Sequence, residues 1–238
     1  MKNKKIKKFA IAWCDNGDVD SRFMEGVLSL FTDLKNFNLK IEKYFHVTGN
    51  LISIQRQQIT KTFEDSDFEW VLFIDSDIFV NAEMIKKMFE FADKEKCPII
   101  SGVYFIFSNP HSSVPTPSPA IFNFSPEKEL ISSTYFPHDQ LIKIDAAGLG
   151  LCLIHKSVFD KLNKSYPEHN YFNIDSSNYD NPIGEDTSFF LKLKELGIPV
   201  HAHTGVLPQH IKKYPLDVNY HNWWWKNYIQ NQENFTQN

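Results

Sequence analysis

Two carboxylates one residue apart, Asp75 and Asp77, follow directly on five apolar residues, Trp70-Val71-Leu72-Phe73-Ile74. Such a run reads as a strand buried on both faces. In open α/β sheets, ligands bind beyond the carboxyl ends of the strands. Asp75-Ser76-Asp77 there offers hard oxygen ligands to a divalent cation, which can in turn hold a diphosphate. An Asp after a strand also serves as a turn former or helix cap. The helix expected from Ala82, however, already has Asn81 as its cap. The chemistry suggested is on a nucleotide-linked substrate.

A second acidic pair, Gly184-Glu185-Asp186, precedes a helical segment carrying Phe189, Phe190 and Leu193. Carboxylates at a helix start are favoured by the helix dipole, and Asp caps well. The same place on a rigid element also suits a general base. The roles are compatible, one acid capping while the other points outward. Farther on, His201 and His203 share one face of a strand. His210 follows a short strand late in the chain, where it can return to a metal. Histidines at strands more often serve as hydrogen-bonded structural groups.

The segments that must position these groups alternate in period. Phe9-Ala10-Ile11-Ala12-Trp13 is a strand, and Phe23, Val27, Leu30, Phe31 and Leu34 recur at helical spacing. Residues 41–47 alternate as a strand, and 51–63 read as a helix. Met84, Ile85, Met88, Phe89 and Ala92 form a helical stripe before the strand at 99–103. Strands separated by helices of this length imply βαβ units and a mainly parallel sheet. Residues 108–119 carry four prolines and read as a loop beside the active face. Residues 141–154 read as paired strands around Gly148-Leu149-Gly150. A helix is expected at 157–162, a loop at 167–182, and a helix at 187–196 stopped by Gly197 and Pro199. The small residues Ala147, Gly148 and Gly150 allow backbone amides to approach a ligand closely.

Composition sets the outer limits. A chain of 238 residues with 42% hydrophobic and 15% aromatic residues can bury a large α/β core. Its formal charge of −4 argues against general nucleic-acid binding. The lysines at 2, 4, 5, 7 and 8 read as solvated charge flanking the first strand, with weak attraction to an anionic membrane as the alternative. Apolar runs fall short of the ~18 residues that span a bilayer, and Phe9 to Trp13 is too short for a signal-peptide core. Cys14, Cys97 and Cys152 lack metal-ligand spacing, so buried free thiols and a cytoplasmic compartment are expected. The tail holds Trp223-Trp224-Trp225, which cannot all face one core.

Taken in order, these segments resemble the GT-A-fold glycosyltransferases, nearest the family 2-like enzymes. The resemblance rests on Asp75-Ser76-Asp77, Ser101-Gly102-Val103-Tyr104, Ala146-Ala147-Gly148-Leu149-Gly150, Gly184-Glu185-Asp186 and His210 after Gly205-Val206, over residues 6–212. It implies an α/β, Rossmann-like GT-A domain over 1–212 with a mainly parallel central sheet flanked by helices. Residues 213–238 are then an aromatic tail packing on or near the active face. By resemblance, Asp77 ligates Mn2+ or Mg2+, His210 completes the metal shell, and Asp75 meets the metal's water shell or the ribose. Asp186 matches the catalytic base, with Glu185 as alternate. Arg56, Asp15, Gly148 and Tyr104 fall among the donor-binding positions. Arg56 sits in Gln55-Arg56-Gln57 where relatives often carry Ala-Arg-Asn, and the turn at Asp15 lacks their usual proline.

The function implied is metal-dependent transfer of a sugar from a nucleotide-diphosphate donor to a glycan or other hydroxyl acceptor, with inversion if the base lies opposite the leaving group. A homo-oligomer is compatible with the aromatic tail. Two rivals stay open. A non-catalytic nucleotide-sugar or glycan-binding module would bind ligand without turnover. A nucleotidyltransferase would want a Gly-rich basic loop after the first strand, where Trp13-Cys14-Asp15-Asn16-Gly17 has no Lys or Arg.

Overall fold

The computed structural model of the chain describes residues 6–107, 116–174, 183–213 and 217–235, the last eight of these by their backbone alone. In chain order the first half runs β1 (Lys7–Asp15), α1 (Ser21–Asp33), a 3-10 turn (Leu34–Phe37), β2 (Leu39–Thr48), α2 (Ile52–Glu64), β3 (Trp70–Ile74), β4 (Ile78–Phe79), α3 (Ala82–Phe91) and β5 (Ile99–Gly102). Short strands follow: β6 (Phe105–Phe107), β7 (Pro117–Pro119), β8 (Ile121–Phe124), β9 (Leu130–Ser132), β10 (Leu141–Ile144) and β11 (Ala146–Ala147). The rest comprises β12 (Leu151–His155), α4 (Lys156–Ser165), α5 (Glu185–Glu195), β13 (Val200–His203), β14 (Gln209–His210) and α6 (Val218–Phe235).

Seven strands make the central sheet, ordered β10-β13-β5-β12-β3-β1-β2. The strands β1, β2, β3, β5 and β13 run one way, and β12 and β10 run against them. Both faces are covered, so residues of the central strands, β3 and β12 above all, are mainly apolar on both sides. Ala10, Ala12, Val71 and Phe73 join one core layer with Phe63, Phe159 and Phe189 of α2, α4 and α5. Phe9, Ile11, Leu72 and Ile74 join the other with Phe23, Leu30, Ile85 and Met88 of α1 and α3. A continuous apolar run such as Trp70 to Ile74 is the signature of that arrangement.

Helix ends follow local chemistry. Asn81 caps α3, its side chain accepting from the Met84 N–H at 3.1 Å. The helix α5 carries Glu185 and Asp186 in its first turn and Lys192 and Lys194 in its last, matching the helix dipole. Gly197, at φ +65°, then turns the chain in a conformation that favours glycine.

Three local expectations are corrected. Phe31 is 51% exposed, because Phe23, Val27, Leu30 and Leu34 already make the buried stripe of this helical region. Residues 141–154 are not paired with one another: β10 pairs with β13, β11 with β8, and β12 inserts between β3 and β5. Within 108–119, Pro117–Pro119 forms a strand against β6, while 108–115 lies outside the described residues. Of the loop expected at 167–182, residues 175–182 likewise lie outside them. Cys14 and Cys152 are buried and Cys97 partly so, all three as free thiols.

The antiparallel insertion of β12 positions the site. Because β12 runs opposite to β3 and β5, its beginning lies at their carboxyl ends, with Leu151 beside Ile74. Gly148-Leu149-Gly150 is thereby set next to Asp75, whose N–H donates to the Gly150 carbonyl at 3.0 Å. The late strand β14 pairs with β4, His210 opposite Ile78, and the Ile211 N–H donates to the Asp77 carbonyl at 2.8 Å.

Candidate active site

Arg56 of α2 is the hub. Its side chain is 2% exposed and forks to three carboxylates: Asp75 at 3.0 Å, Glu185 at 2.8 Å and Asp186 in a shorter contact. Burial alone opposes a charge there, but Asp186, Asp75 and Glu185 outweigh it and hold the guanidinium protonated. A planar fork of five donors serves the three acceptors at once in a fixed geometry, where an ammonium has three donors on a single nitrogen. The resemblance implies an arginine that meets the nucleotide. In the fold its guanidinium contacts Asp75 after β3 and Glu185 and Asp186 in the first turn of α5.

Asp186 is gripped from two sides. Arg56 holds Oδ1, and the Leu149 N–H donates to Oδ2 at 3.1 Å. Burial pushes its carboxyl up to about 6; Arg56 pulls against this, while Glu185 and Asp75 add to the rise. A carboxylate titrating there, with 28% of its side chain still exposed, suits a general base working near neutral pH. Glu185 lies beside it on the same arginine.

The second half of the site is Asp77 with His210. The ring Nδ1–H of His210 donates to the Phe105 carbonyl at 2.8 Å, which leaves Nε2 facing Asp77 Oδ2 at 3.2 Å. The ring proton given to the backbone carbonyl fixes the ring, and leaves Nε2 to donate to Asp77 when protonated or to ligate a cation when not. Adjacent ligands of an octahedral cation at about 2.1 Å lie about 3 Å apart. The Asp77–His210 spacing therefore fits two ligands of one Mn2+ or Mg2+. Lys212 donates to the same Asp77 oxygen at 2.6 Å. Burial works to raise the Asp77 carboxyl, but His210 and Lys212 bring it down to about 2, keeping it ionised. Asp75 is turned to Arg56, and no group of three or more His, Cys, Asp or Glu is placed to hold a metal among the described residues. His203 is engaged elsewhere, its Nδ1 accepting from the Gly205 N–H and its ring against Phe91.

Two further expected residues have definite surroundings. Tyr104 is buried beneath Gly148 and Gly150, accepts from the Gly150 N–H at 3.3 Å, and meets the His210 ring edge-on at 5.1 Å. The space beside the two glycines is thus filled by a phenol ring. A Cβ at Gly148 would lie 1.9 Å from the Tyr104 hydroxyl. Gly148→Ala is accordingly expected to destabilise the fold by about 1–3 kcal/mol. It should also slow any turnover, because Leu149 holds Asp186. Thermal melts and rates on the same preparation check both effects.

Asp15, at the end of β1, accepts from the Gly17 N–H and Thr48 hydroxyl, each at 2.9 Å, and pairs with His46 Nε2 at 2.5 Å. Burial acts against its charge, but these three partners lower its carboxyl. Trp13 stacks on His46 at 4.8 Å, extending an aromatic surface beside it. Lys212 and His46 escaped the sequence reading. Lys212 lies only two residues beyond His210, the one signal that could have drawn attention to it; His46 had none.

No protein-family description matches the sequence, and no curated protein matches it. Solved structures do. A197 from STIV superposes with a TM-score of 0.53 and 15% identity, over 86% of this chain and 86% of that one. GalNAc-T7, in a structure with UDP, GalNAc and Mn2+, gives a TM-score of 0.57 and 10% identity over 87% of this chain and 43% of its own. The architecture, a large and mostly parallel sheet flanked by helices, matches the GT-A glycosyltransferase folds.

Proposed function

We propose that this chain is a metal-dependent glycosyltransferase that moves a sugar from a nucleotide-diphosphate donor to a glycan or other hydroxyl acceptor, with inversion. The observation that carries the reading is the pairing, at one end of the sheet, of the Asp77–His210 couple with the Asp186 carboxylate held by Arg56 and the Leu149 N–H. The GT-A architecture supports it, and so does the UDP and Mn2+ in the GalNAc-T7 structure. Asp77 and His210 would hold the cation, which would supply charge neutralisation for the leaving diphosphate. Asp186 accepts the proton of the acceptor hydroxyl as that oxygen attacks the anomeric carbon. Arg56 and the Leu149 N–H keep its carboxylate in place. Lys212 adds a second positive charge beside Asp77.

The test is nucleotide release from a panel of UDP-, GDP-, CMP- and dTDP-sugars with Mn2+, Mg2+ or chelator. Release from one donor, abolished by chelator and by Asp77→Ala, is the expected result. The variant should still fold, since 35% of the Asp77 side chain is exposed. Release that persists in chelator would remove the metal from the reaction and leave Lys212 as the cation there. The rival is a module that binds a nucleotide sugar without turnover. It is favoured by one observation, that both Asp186 oxygens already accept hydrogen bonds. Metal-dependent nucleotide binding with no release from any donor, with acceptor supplied, would select it.

A further inference from the structure

The helix that supplies Arg56 also forms one wall of a separate groove of about 250 Å³, which no step of the proposed reaction uses. Ser53, Ile54 and Gln57 contribute from α2, and Phe172, Asn173 and Ile174 from the segment opposite. The opposite wall is firmly anchored. Phe172 stacks on Phe189 of α5 at 4.8 Å, and Lys192 donates to Asn173 Oδ1 at 3.1 Å. Lys192 gives its other donors to the Ser188 hydroxyl and the Tyr171 carbonyl. The Tyr171 N–H in turn donates to Gln57 Oε1 at 2.9 Å.

Three features narrow the ligand. None of the lining side chains is ionisable; the polar ones are amides and a hydroxyl, and Lys192 behind Asn173 gives its donors to Asn173, Ser188 and Tyr171. Gln57 Nε2 is buried without a hydrogen-bond partner among the described residues, a state that costs free energy until an acceptor arrives. Ile54 and Ile174 are each 52% exposed, giving the groove an apolar edge. Amide donors converging beside an apolar surface match a ring with hydroxyls around its rim and C–H groups on its face. The volume lies just under the ~300 Å³ at which pockets for drug-sized ligands begin, so the fit is to one sugar ring.

We infer that this groove binds a neutral sugar ring of the acceptor, with Gln57 and Asn173 meeting its hydroxyls and Ile54 and Ile174 supporting its face. The inference rests on the transferase reading for the word acceptor. Gln57 and Arg56 are both supplied by α2, so the groove and the arginine that holds Asp186 are built on one helix.

The experiment titrates the 15N-labelled full chain with glucose, galactose, mannose and N-acetylglucosamine, and with glucuronic acid. A neutral sugar is expected to shift the Ser53, Gln57 and Asn173 signals saturably, and glucuronic acid several-fold more weakly. Gln57→Glu keeps an acceptor for the Tyr171 N–H, but replaces the NH2 donor by an acceptor oxygen and adds a negative charge. It should weaken binding at least about five-fold, the loss of one hydrogen bond, and Ile54→Ser should weaken it independently. Unchanged affinity in both variants, equal binding of glucuronic acid, or silence of these signals with every sugar would overturn the inference. If sugars bind the groove while no nucleotide sugar is turned over, the transferase reading falls and the groove stands as a glycan site. Turnover with a silent groove would keep the transferase and remove the acceptor site from this face.

Discussion

Arg56→Met is expected to lower stability by about 3–5 kcal/mol, the cost of removing one partner from a buried charged cluster. For a chain of this length that is a fall in the melting midpoint on the order of 10 °C. Arg56 faces Asp75, Glu185 and Asp186 together, and without it three carboxylates crowd one region with no cation among them. Activity should fall by at least about 100-fold, because the base is no longer held and its protonation changes. Removing the guanidinium also removes the pull that limits the rise of the Asp186 carboxyl, so any residual activity should need a higher pH than wild type. Arg56→Lys should recover part of the stability, since one ammonium replaces the charge but not the fork. An unchanged melting point for Arg56→Met would show that the cluster relaxes into water when the arginine is absent.

Asp186→Asn is expected to separate function from stability. Loss of a general base lowers the rate by about 10²- to 10⁴-fold. The fold should gain stability at neutral pH. Asp186 titrates at about 6 in the folded chain against 3.8 as its ordinary value. Between those values the native state binds more protons than the unfolded state, so stability falls as pH rises through this window and is level above it. The difference amounts to roughly 3 kcal/mol at most, and Asn avoids it by carrying no charge. The gain should vanish below pH ~4, where both forms are neutral. Wild-type kcat/KM should rise with pH through about 6, and the variant should lose that limb. Should Glu185→Gln, not Asp186→Asn, be the inactive protein, the base is Glu185 and the groups exchange roles.

Both variants act on a cluster whose members are far apart in the chain. The sequence located Asp75, Asp77, Glu185, Asp186 and His210 through the local pattern around them. Each carboxylate ends an apolar strand or opens an amphipathic helix, and those periodicities are written within a few residues. The same local signals led to the α/β class and to most helix and strand positions. They also explain why Phe31 was misjudged: spacing marks a face of the helix, and how wide a stripe the core covers is set by its neighbours. The exposed tail followed from packing geometry. Trp223, Trp224 and Trp225 stand on α6 at 44–51% exposure because consecutive helix residues point in different directions.

What only the tertiary structure decided is who faces whom. Arg56 meets Asp186 across 130 residues of chain, and His210 meets Asp77 across 133. Nothing in Gln55-Arg56-Gln57 distinguishes a nucleotide contact from a buried hub, because the partners come from β3 and α5. Residues 141–154 looked like a hairpin, but β12 is drawn between β3 and β5, where hydrogen-bonding edges on both sides outweigh a local turn. That insertion sets the Leu149 N–H beside Asp186 and the Tyr104 ring beneath Gly148. The groove beside Gln57 arises only where α2 meets the 170–174 segment. Sequence patterns report the preferences of a short stretch for one face or one period, whereas a site is defined by long-range pairings that those preferences permit but do not name.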